Sequence, residues 1–282
     1  MTFANAERRR RPFTLRGQPV SGGAKPAGKS SAHNGSMTFH LRRGESRDVR
    51  PRLPHRDVSW IGEHRRPFRD YSVGSLVPVV FEAYTRILHP AWGPSVTGKD
   101  RPVRWDAVAA WSGRTMHALA QWERLSVPVT EAVAPPFVAP PNRGGLPPAS
   151  LAALCGVLAA HATTPEGCFV GVWEGYGWPV AAWAGPDVVD LENRSFHVRR
   201  GQLALALEVG WQPVSGRFEV EPPTLIWPAD QAWFVAADPD LDSTYLGGSA
   251  ALVDAVIAHA DLEAWQAAAS DEIGVASDSV NL

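Results

Sequence analysis

The sequence predicts an α+β protein with N-terminal helices, a mostly antiparallel sheet and a closing C-terminal helix, preceded by a disordered basic arm. Apolar residues recur at helical spacing up to residue 160, and short apolar runs bounded by Gly, Pro or Asp follow from residue 168 onward. Of the 27 Lys and Arg residues, 16 lie in residues 1–70, together with only 6 of the 29 Asp and Glu residues. The formal net charge of −2 therefore averages a basic arm and an acidic domain.

Residues 1–70 form the basic arm. Their arginines are scattered among Pro, Gly and Ser without a regular period, and too little apolar area is present to offset the entropy lost on ordering the backbone. Such an arm could bind nucleic acid through counterion release. It could equally be a dispensable tail or reflect a misplaced start, with Met37 or Val73 as later starts. The Arg10–Arg11 pair is not followed by the apolar stretch of an export signal, so secretion is not predicted.

The acidic part of the chain is predicted to form a single α+β domain over residues 71–266, followed by a frayed acidic tail over residues 267–282. At Tyr71 apolar periodicity replaces scattered arginine. Residues 126–149 contain seven prolines and a Gly-Gly pair. This stretch is expected to be a linker or a long surface excursion, because regular structure tolerates so many prolines poorly.

The first element of the domain is predicted to be an amphipathic helix over residues 73–90. Val80 and Tyr84 fall one helical turn apart on its apolar face. Glu82 and Arg86 have the same spacing on the opposite face, where we expect them to form a surface ion pair.

Two more helices are predicted before the sheet. Residues 104–124 have helical periodicity that Gly113 is expected to break into two pieces. Ser150 is the expected N-cap of the next helix, because a Ser side chain can accept a hydrogen bond from a free N–H of the first turn. The apolar stripe of that helix consists of Leu151, Leu154, Cys155 and Leu158.

The sheet is predicted from short apolar runs separated by turn residues. Residues 201–210 between two of the runs are expected to form a short helix. Gly247 and Gly248 are expected to form a turn into the closing helix, with Ser249 as its N-cap. The runs are residues 168–175, 195–200, 217–221, 224–227 and 232–237.

The histidines and cysteines predict no zinc site and no disulfide framework. None of the 9 His residues has the H-x-x-x-H or H-E-x-x-H spacing of a metal site. Cys155 and Cys168 are the 2 cysteines and do not form a C-x-x-C motif, so we expect reduced structural thiols. No cofactor is predicted.

An acidic run follows the last predicted strand. Asp238, Asp240 and Asp242 have the i, i+2, i+4 spacing that opens a calcium-binding EF-hand loop, which makes them weak candidates for metal ligands. The Gly and Glu that complete such a loop are replaced by Ser243 and Ser249. A turn of solvated carboxylates is therefore the favoured interpretation.

Asp240 and Asp242 also imitate the nucleophile motif of haloacid-dehalogenase-type phosphotransferases, in which the first Asp attacks phosphorus. That chemistry needs a cation to neutralise the phosphoryl group, but no Lys or Arg follows Arg217. A divalent-cation-dependent hydrolase that uses these two aspartates stays open as an alternative. Its general base would be Glu174 or His89.

Tryptophan is unusually frequent, with 12 residues in the chain. In one interpretation these rings fill the core, because aromatic residues bury large areas. In the other, the rings around a Gly-Tyr-Gly-Trp turn combine with nearby carboxylates into a surface for a basic protein partner. The predicted binding surface consists of Trp173, Glu174, Tyr176, Trp178, Asp240, Asp242 and Tyr245.

Four blocks of the sequence, VGSLVPVVFEAYTRILHPAW, VRWDAVAAWSGRTMHALAQWERL, CFVGVWEGYG and WPADQAWFVAADPDLDSTYLGGSAAL, resemble the recurring blocks of a family of Trp-rich proteins from high-GC bacteria. The similarity runs from about Val73 to Trp265. It implies no activity, since none is assigned to that family, and it implies that residues 1–70 are an extension. A more distant similarity, by analogy only, is to the Smi1/Knr4 immunity superfamily.

Binding rather than catalysis is the favoured function. We expect a cytoplasmic, immunity-like interaction module whose acidic aromatic surface binds a protein with a basic surface. Nucleic acid is expected only through residues 1–70, if at all, because an acidic domain repels it. No membrane partner is expected, since no segment approaches the roughly 20 apolar residues that span a bilayer.

Overall fold

The frame of the protein is an eight-stranded antiparallel sheet covered by helices on both faces. The computed structural model describes residues 55–94, 101–130, 134–177, 183, 187–192, 194–211, 216 and 218–282. All of them belong to the unit that spans Asp48–Leu282.

Among the described residues the helices are α1 (His55–Glu63), α2 (Val73–Leu76), α3 (Trp105–Ser112), α4 (Trp122–Leu125), α5 (Pro148–Ala159) and α6 (Ala250–Ile257). The first strands are β1 (Ala83–Leu88), β2 (Ala91–Gly93), β3 (Arg101–Val103), β4 (Cys168–Trp173), β5 (Val188–Leu191) and β6 (Arg194–Gly201). They are followed by β7 (Gly210–Trp211), β8 (Glu219–Val220), β9 (Leu225–Pro228), β10 (Phe234–Ala237), β11 (Ser243–Gly248) and β12 (Ala264–Ala267).

The strands of the large sheet lie in the order β12-β1-β11-β10-β9-β4-β6-β5, and all neighbouring pairs are antiparallel. Two short hairpin-like pairs, β2 with β3 and β7 with β8, lie outside it. The predicted α+β class with a mostly antiparallel sheet is confirmed.

The core lies on both faces of the sheet because successive strand side chains point in opposite directions. In β4, for example, Val170 joins the apolar cluster under α5 and α6, while Phe169 joins the cluster under α1 and α2. A third cluster packs α3 and α4 against β2 and β3. Both faces of the central strands are therefore buried in apolar clusters.

The helix predicted over residues 73–90 is wrong beyond its first turn. Only Val73–Leu76 is helical, and Ala83–Leu88 forms β1, in which all six residues are buried. A central strand buried on both faces loses the apolar–polar alternation of an amphipathic strand, so its spacing resembles that of a helix.

The expected surface pair of this segment is also wrong. Arg86 is only 3% exposed, because it lies in the middle of the sheet. Glu82 instead accepts a hydrogen bond from the main-chain N–H of Ala250 at 3.0 Å, at the start of α6. A carboxylate at this position satisfies a free N–H group and the positive end of the helix dipole.

The end of the basic arm is folded, in contrast to the disorder expected up to residue 70. In α1, Trp60 is 8% exposed and Ile61 is fully buried. The Trp60 ring packs edge-on against Phe234 of β10, with 5.8 Å between ring centroids. These two apolar residues lie among several arginines and show no hydrophobic periodicity in the sequence, yet both pack against one face of the sheet. Residues 1–54, which include most of the predicted arm, lie outside the described part.

The C-terminal segment differs from the frayed tail that its composition predicts. Ile273 is 4% exposed, Asp278 1% and Asn281 3%. Asp278 accepts hydrogen bonds from the main-chain N–H of Gln121 and from His117. The segment is held by polar contacts to residues that are distant in the sequence. A search for apolar periodicity does not predict such contacts.

Helix ends were predicted with mixed success. Gly113 ends α3 in a left-handed conformation with φ 72°, as expected. The N-cap of α5 is Pro147 rather than Ser150, although the apolar stripe of this helix is buried as predicted. Ser249 is the N-cap of α6, and its side chain accepts a hydrogen bond from Leu252 N at 3.2 Å. No described helix has the length and apolar character required to cross a membrane.

Candidate functional site

The predicted binding residues divide into surface and core. Trp173 ends β4, and Glu174 and Tyr176 lie in the one-turn 3-10 helix that follows it. Asp240 lies in the loop between β10 and β11, where its side chain is 82% exposed. Trp178 lies outside the described residues.

A series of aromatic rings links this turn to the N-terminal part of the domain. We call it the aromatic ladder and define it as Tyr71, Phe68, Arg194, Trp173 and Tyr176. Tyr71 and Phe68 have ring centroids 5.5 Å apart, as do Trp173 and Tyr176. The guanidinium of Arg194 lies between the two pairs, 5.2 Å from the centroid of Phe68 and 5.3 Å from that of Trp173. The five side chains form one continuous stack of cation–π and aromatic contacts.

Carboxylates hold Arg194 in this position. Its Nη1 donates to Asp238 at 2.6 Å, and its Nη2 lies 3.6 Å from Asp240. Asp238 is buried, so its pairing with Arg194 offsets the cost of removing both charges from water. The charge of Arg194 is therefore neutralised within the ladder, while the exposed Asp240 carries additional negative charge.

Two strained residues flank the ladder. Tyr71 has φ 45° and Glu192 has φ 52°, in the left-handed region that bulky residues rarely adopt. Both oxygens of Glu192 accept hydrogen bonds from the main-chain N–H of Phe68, at 3.1 and 2.9 Å. This contact ties the ladder's N-terminal half to the loop between β5 and β6. Such local strain is concentrated at functional sites in proteins generally.

Two predicted surface residues are in fact part of the interior. Asp242 is 8% exposed and lies 3.8 Å from Nη2 of the buried Arg86. Burial raises the pKa of Asp242, and the charge of Arg86 opposes that shift. Tyr245 is 2% exposed and lies in the cluster under α1 and α2. Asp242 directly precedes β11 and Tyr245 lies within it, and this strand is not among the predicted runs.

The three candidate metal ligands are not brought together. Asp238 pairs with Arg194 and Asp242 with Arg86, while Asp240 points outward. The described part of the chain has no group of three or more His, Cys, Asp or Glu side chains arranged to hold a metal ion. The hydrolase alternative thus gains no support from the geometry of these aspartates.

The candidate general base His89 is fully buried. Its Nδ1 lies 2.7 Å from the carbonyl oxygen of Asn142, and its Nε2 lies 2.9 Å from the Thr244 hydroxyl. Because a carbonyl can only accept, Nδ1 carries the proton and Thr244 donates to Nε2. Burial lowers the pKa of His89 to about 4. The ring is a neutral structural group that no substrate can reach.

The other base candidate contacts a buried histidine, and the thiols have little nucleophilic character. Glu174 Oε1 lies 3.7 Å from Nε2 of the buried His197, in an ion-pair geometry. Cys155 and Cys168 are free and buried. Burial raises their pKa values to about 12 and about 11, so both remain thiols at neutral pH.

The remaining tryptophans mostly fill the core. Trp105, Trp227 and Trp233 are completely buried, and Trp227 stacks on Phe169 with 5.1 Å between centroids.

Comparison of the chain with models of known families, with curated proteins and with solved structures found no match. The resemblance to a Trp-rich bacterial family therefore stays a prediction.

The sequence predicts two of the five ladder residues, Trp173 and Tyr176, together with the neighbouring Asp240. It does not predict Tyr71, Phe68 or Arg194. These three lie at the boundary of the expected disordered arm and on β6, more than 120 residues apart. Only the pairing of sheet and N-terminal segment brings them together, so no local signal in the sequence indicates their contact.

Proposed function

We propose that this protein is an interaction module that binds a protein with a basic surface through the aromatic ladder. The observation that carries the proposal is a continuous stack of four rings and one guanidinium that ends in an exposed tyrosine. Tyr71 is 58% exposed, and the side chain of Glu174 is 41% exposed. Aromatic side chains combine large contact area with little conformational entropy, which makes them frequent anchors of protein interfaces.

The charge around the ladder favours a basic partner. Arg194 is already balanced by Asp238, and Glu192 interacts with the nearby Arg65. Asp240 and Glu174 are therefore the carboxylates that add negative charge at the exposed rim. A Lys or Arg of the partner could pair with Asp240 and lie over the exposed ring of Tyr71. Complementary charge of this kind increases the association rate and the specificity more than the affinity.

The alternatives receive less support. A hydrolase would need a base beside a metal-binding carboxylate cluster. His89 is buried, and Asp238 and Asp242 pair with arginines, so the exposed Glu174 has no such cluster of the predicted aspartates to work with. Nucleic-acid binding through residues 1–70 depends largely on residues 1–54, which lie outside the described part, and the carboxylates at the rim of the ladder would repel phosphate. An immunity-like role would be one form of the proposed protein binding.

The test compares two matched double variants. The first, Tyr71→Asn with Asp240→Asn, removes the exposed ring and the exposed charge, and Asn tolerates the left-handed conformation at position 71. The control, Val280→Ala with Asp254→Asn, removes an exposed apolar side chain and an exposed carboxylate outside the ladder.

Proteins of the source cells would be captured on each immobilised variant and quantified by mass spectrometry at low and high salt. We expect partners that the wild type and the control retain to be depleted at least about tenfold with the ladder variant, and to be released by salt. If the ladder variant retained every partner that the control retains, the proposal would be wrong.

A further inference from the structure

A second site lies apart from the ladder, in a pocket of about 560 Å³ beside the start of α5. Leu146, Pro147 and Leu151 line it from α5 and the segment before this helix, and Leu207, Val220 and Pro222 line it from the part of the chain between β6 and β9. A pocket of this volume with mostly apolar walls is within the range of small-ligand sites.

The pocket is preformed, because contacts to other parts of the domain hold the Pro-rich segment that lines it. The buried His89 donates to the carbonyl oxygen of Asn142 at 2.7 Å. The hydroxyl of Tyr176 donates to the carbonyl oxygen of Gly144 at 3.1 Å. Gly145 packs so closely on Pro222 that an added Cβ would lie 2.5 Å from the proline ring. A site held in place before binding avoids much of the entropy cost of ordering it.

Apolar surface is left open in this pocket. Leu207 is 39% exposed and Val220 is 48% exposed. Covering such side chains with an apolar ligand stabilises the complex by about 25 cal/mol per Å² of apolar area removed from water. An aliphatic group is therefore the natural occupant of this apolar part of the pocket.

The lining of the pocket also includes hydrogen-bond donors. They belong to Arg143, Asn142 and Trp92. Arg143 uses Nη2 to pair with Glu123 at 2.9 Å, and a guanidinium has five N–H donors in all. Glu221 is the one carboxylate among the described lining residues, and it already interacts with other groups of the chain.

The wall formed by α5 contributes apolar surface. It presents Pro147, Pro148, Leu151 and Ala152 to the pocket, and the two prolines have no main-chain N–H. The first-turn residues Ala149 and Ser150 line a different pocket. The donors of residues 92, 142 and 143 are therefore the groups that favour a negatively charged ligand.

We propose that this pocket binds an anionic amphiphile, an aliphatic carboxylate whose head group pairs with Arg143 and whose chain lies between Leu151 and Val220. The guanidinium and a carboxylate match in charge and in planar geometry. None of the residues that line the pocket belongs to the aromatic ladder, although Tyr176 of the ladder holds Gly144 from outside the pocket. The variants that test ligand binding leave the ladder unchanged, so this test can fail without affecting the proposed protein binding.

The experiment is isothermal titration calorimetry of the full chain with dodecanoate, dodecylammonium and dodecanol, each below its micelle-forming concentration. Dodecanoate is expected to bind with one molecule per chain, at least about tenfold more tightly than either of the others. Equal binding of dodecylammonium, or no saturable binding of dodecanoate, would overturn the proposal.

Two variants locate the site. Arg143→Gln should weaken dodecanoate binding about tenfold or more, whereas the control Arg69→Gln, at an exposed position outside the pocket, should leave it unchanged. Ala152→Trp, at an exposed position in the pocket lining, should fill the space and abolish binding. Its control is Gly156→Ala, one turn along the same helix, where an added Cβ meets nothing within 4 Å.

Circular dichroism would first establish that the Ala152→Trp variant is folded. Dodecanoate binding that was unchanged in both Arg143→Gln and folded Ala152→Trp would place the ligand elsewhere and refute the assignment. If Ala152→Trp failed to fold, Arg143→Gln against Arg69→Gln would still decide the question.

Discussion

The carboxylate of Asp278 accepts a hydrogen bond from Nε2 of His117 at 2.9 Å, which fastens the end of the chain to the segment between α3 and α4. Asp278 also accepts from the main-chain N–H groups of Asn281 and Gln121. Its burial acts to raise the pKa, but these hydrogen bonds outweigh burial and lower the pKa of Asp278 to about 2. The C-terminal segment is thus held by an ionised carboxylate.

This arrangement predicts a loss of stability in acid. Since the folded-state pKa of Asp278 is depressed, its contribution is fully present above the unfolded pKa near 4 and is lost as pH falls towards 2. Asp278→Asn should lower the free energy of unfolding by roughly 2 kcal/mol at pH 7 and flatten its pH dependence between 4 and 2. Urea unfolding across this range measures both, with the exposed Asp254→Asn as control. Equal stability of the two variants at pH 7 would contradict the prediction.

The buried His89 is expected to cause a second pH dependence of the free energy of unfolding, at higher pH than that caused by Asp278. The lowered pKa of about 4 means that, between the unfolded value of 6.5 and 4, only the unfolded chain binds the proton. The free energy of unfolding should therefore fall by about 3 kcal/mol as pH drops through this window. His89→Gln, which cannot titrate, should remove that slope in urea unfolding experiments. A slope unchanged by the substitution would show that other groups cause it.

Replacement of glycine by alanine is expected to have opposite effects on the free energy of unfolding at Gly145 and at Gly156. Gly145→Ala places a Cβ against Pro222 and should lower the free energy of unfolding by about 1–3 kcal/mol. Gly156→Ala lies in open space on α5 and should raise it by about 0.5–1 kcal/mol, because Gly is a poor helix former. Thermal unfolding of the two variants side by side measures the contrast. Similar melting temperatures would mean that the segment at Gly145 moves away from Pro222.

Ile61 tests whether α1 belongs to the folded domain. Because the side chain is fully buried under the sheet, Ile61→Ala should cost about 2–5 kcal/mol of unfolding free energy. The control Val80→Ala, at a side chain that is 48% exposed, should change it by less than about 0.5 kcal/mol. Chemical denaturation measures both values. An Ile61→Ala variant as stable as the control would mean that α1 detaches from the sheet in solution.

The sequence was most informative where a strand has one apolar run between turn residues, as in β4 and β6. It was misleading at β1, whose two buried faces remove the alternation that distinguishes a strand from a helix. It was misleading again at β11, where Gly247 suggested a turn. In the structure that glycine lets Phe81 approach, since an added Cβ would lie 2.5 Å from its ring.

The candidate site was predicted only as far as local sequence reaches. Trp173, Tyr176 and Asp240 lie close to turn residues and carboxylates, so their surface position could be inferred. Long-range packing of α2 and β6 brings Tyr71 and Arg194 next to these residues. Asp242 is buried, where it pairs with Arg86. Contacts of this kind depend on the complete fold rather than on spacing.

The place of β1 in the sheet also constrains how the protein is made. It is among the first strands to leave the ribosome, yet its two neighbours are β11 and β12, which are synthesised roughly 155 to 180 residues later. Pairings that are this distant in sequence form slowly. During translation β1 therefore has no strand partner until β11 has been synthesised, and the sheet can close only after β12 has followed.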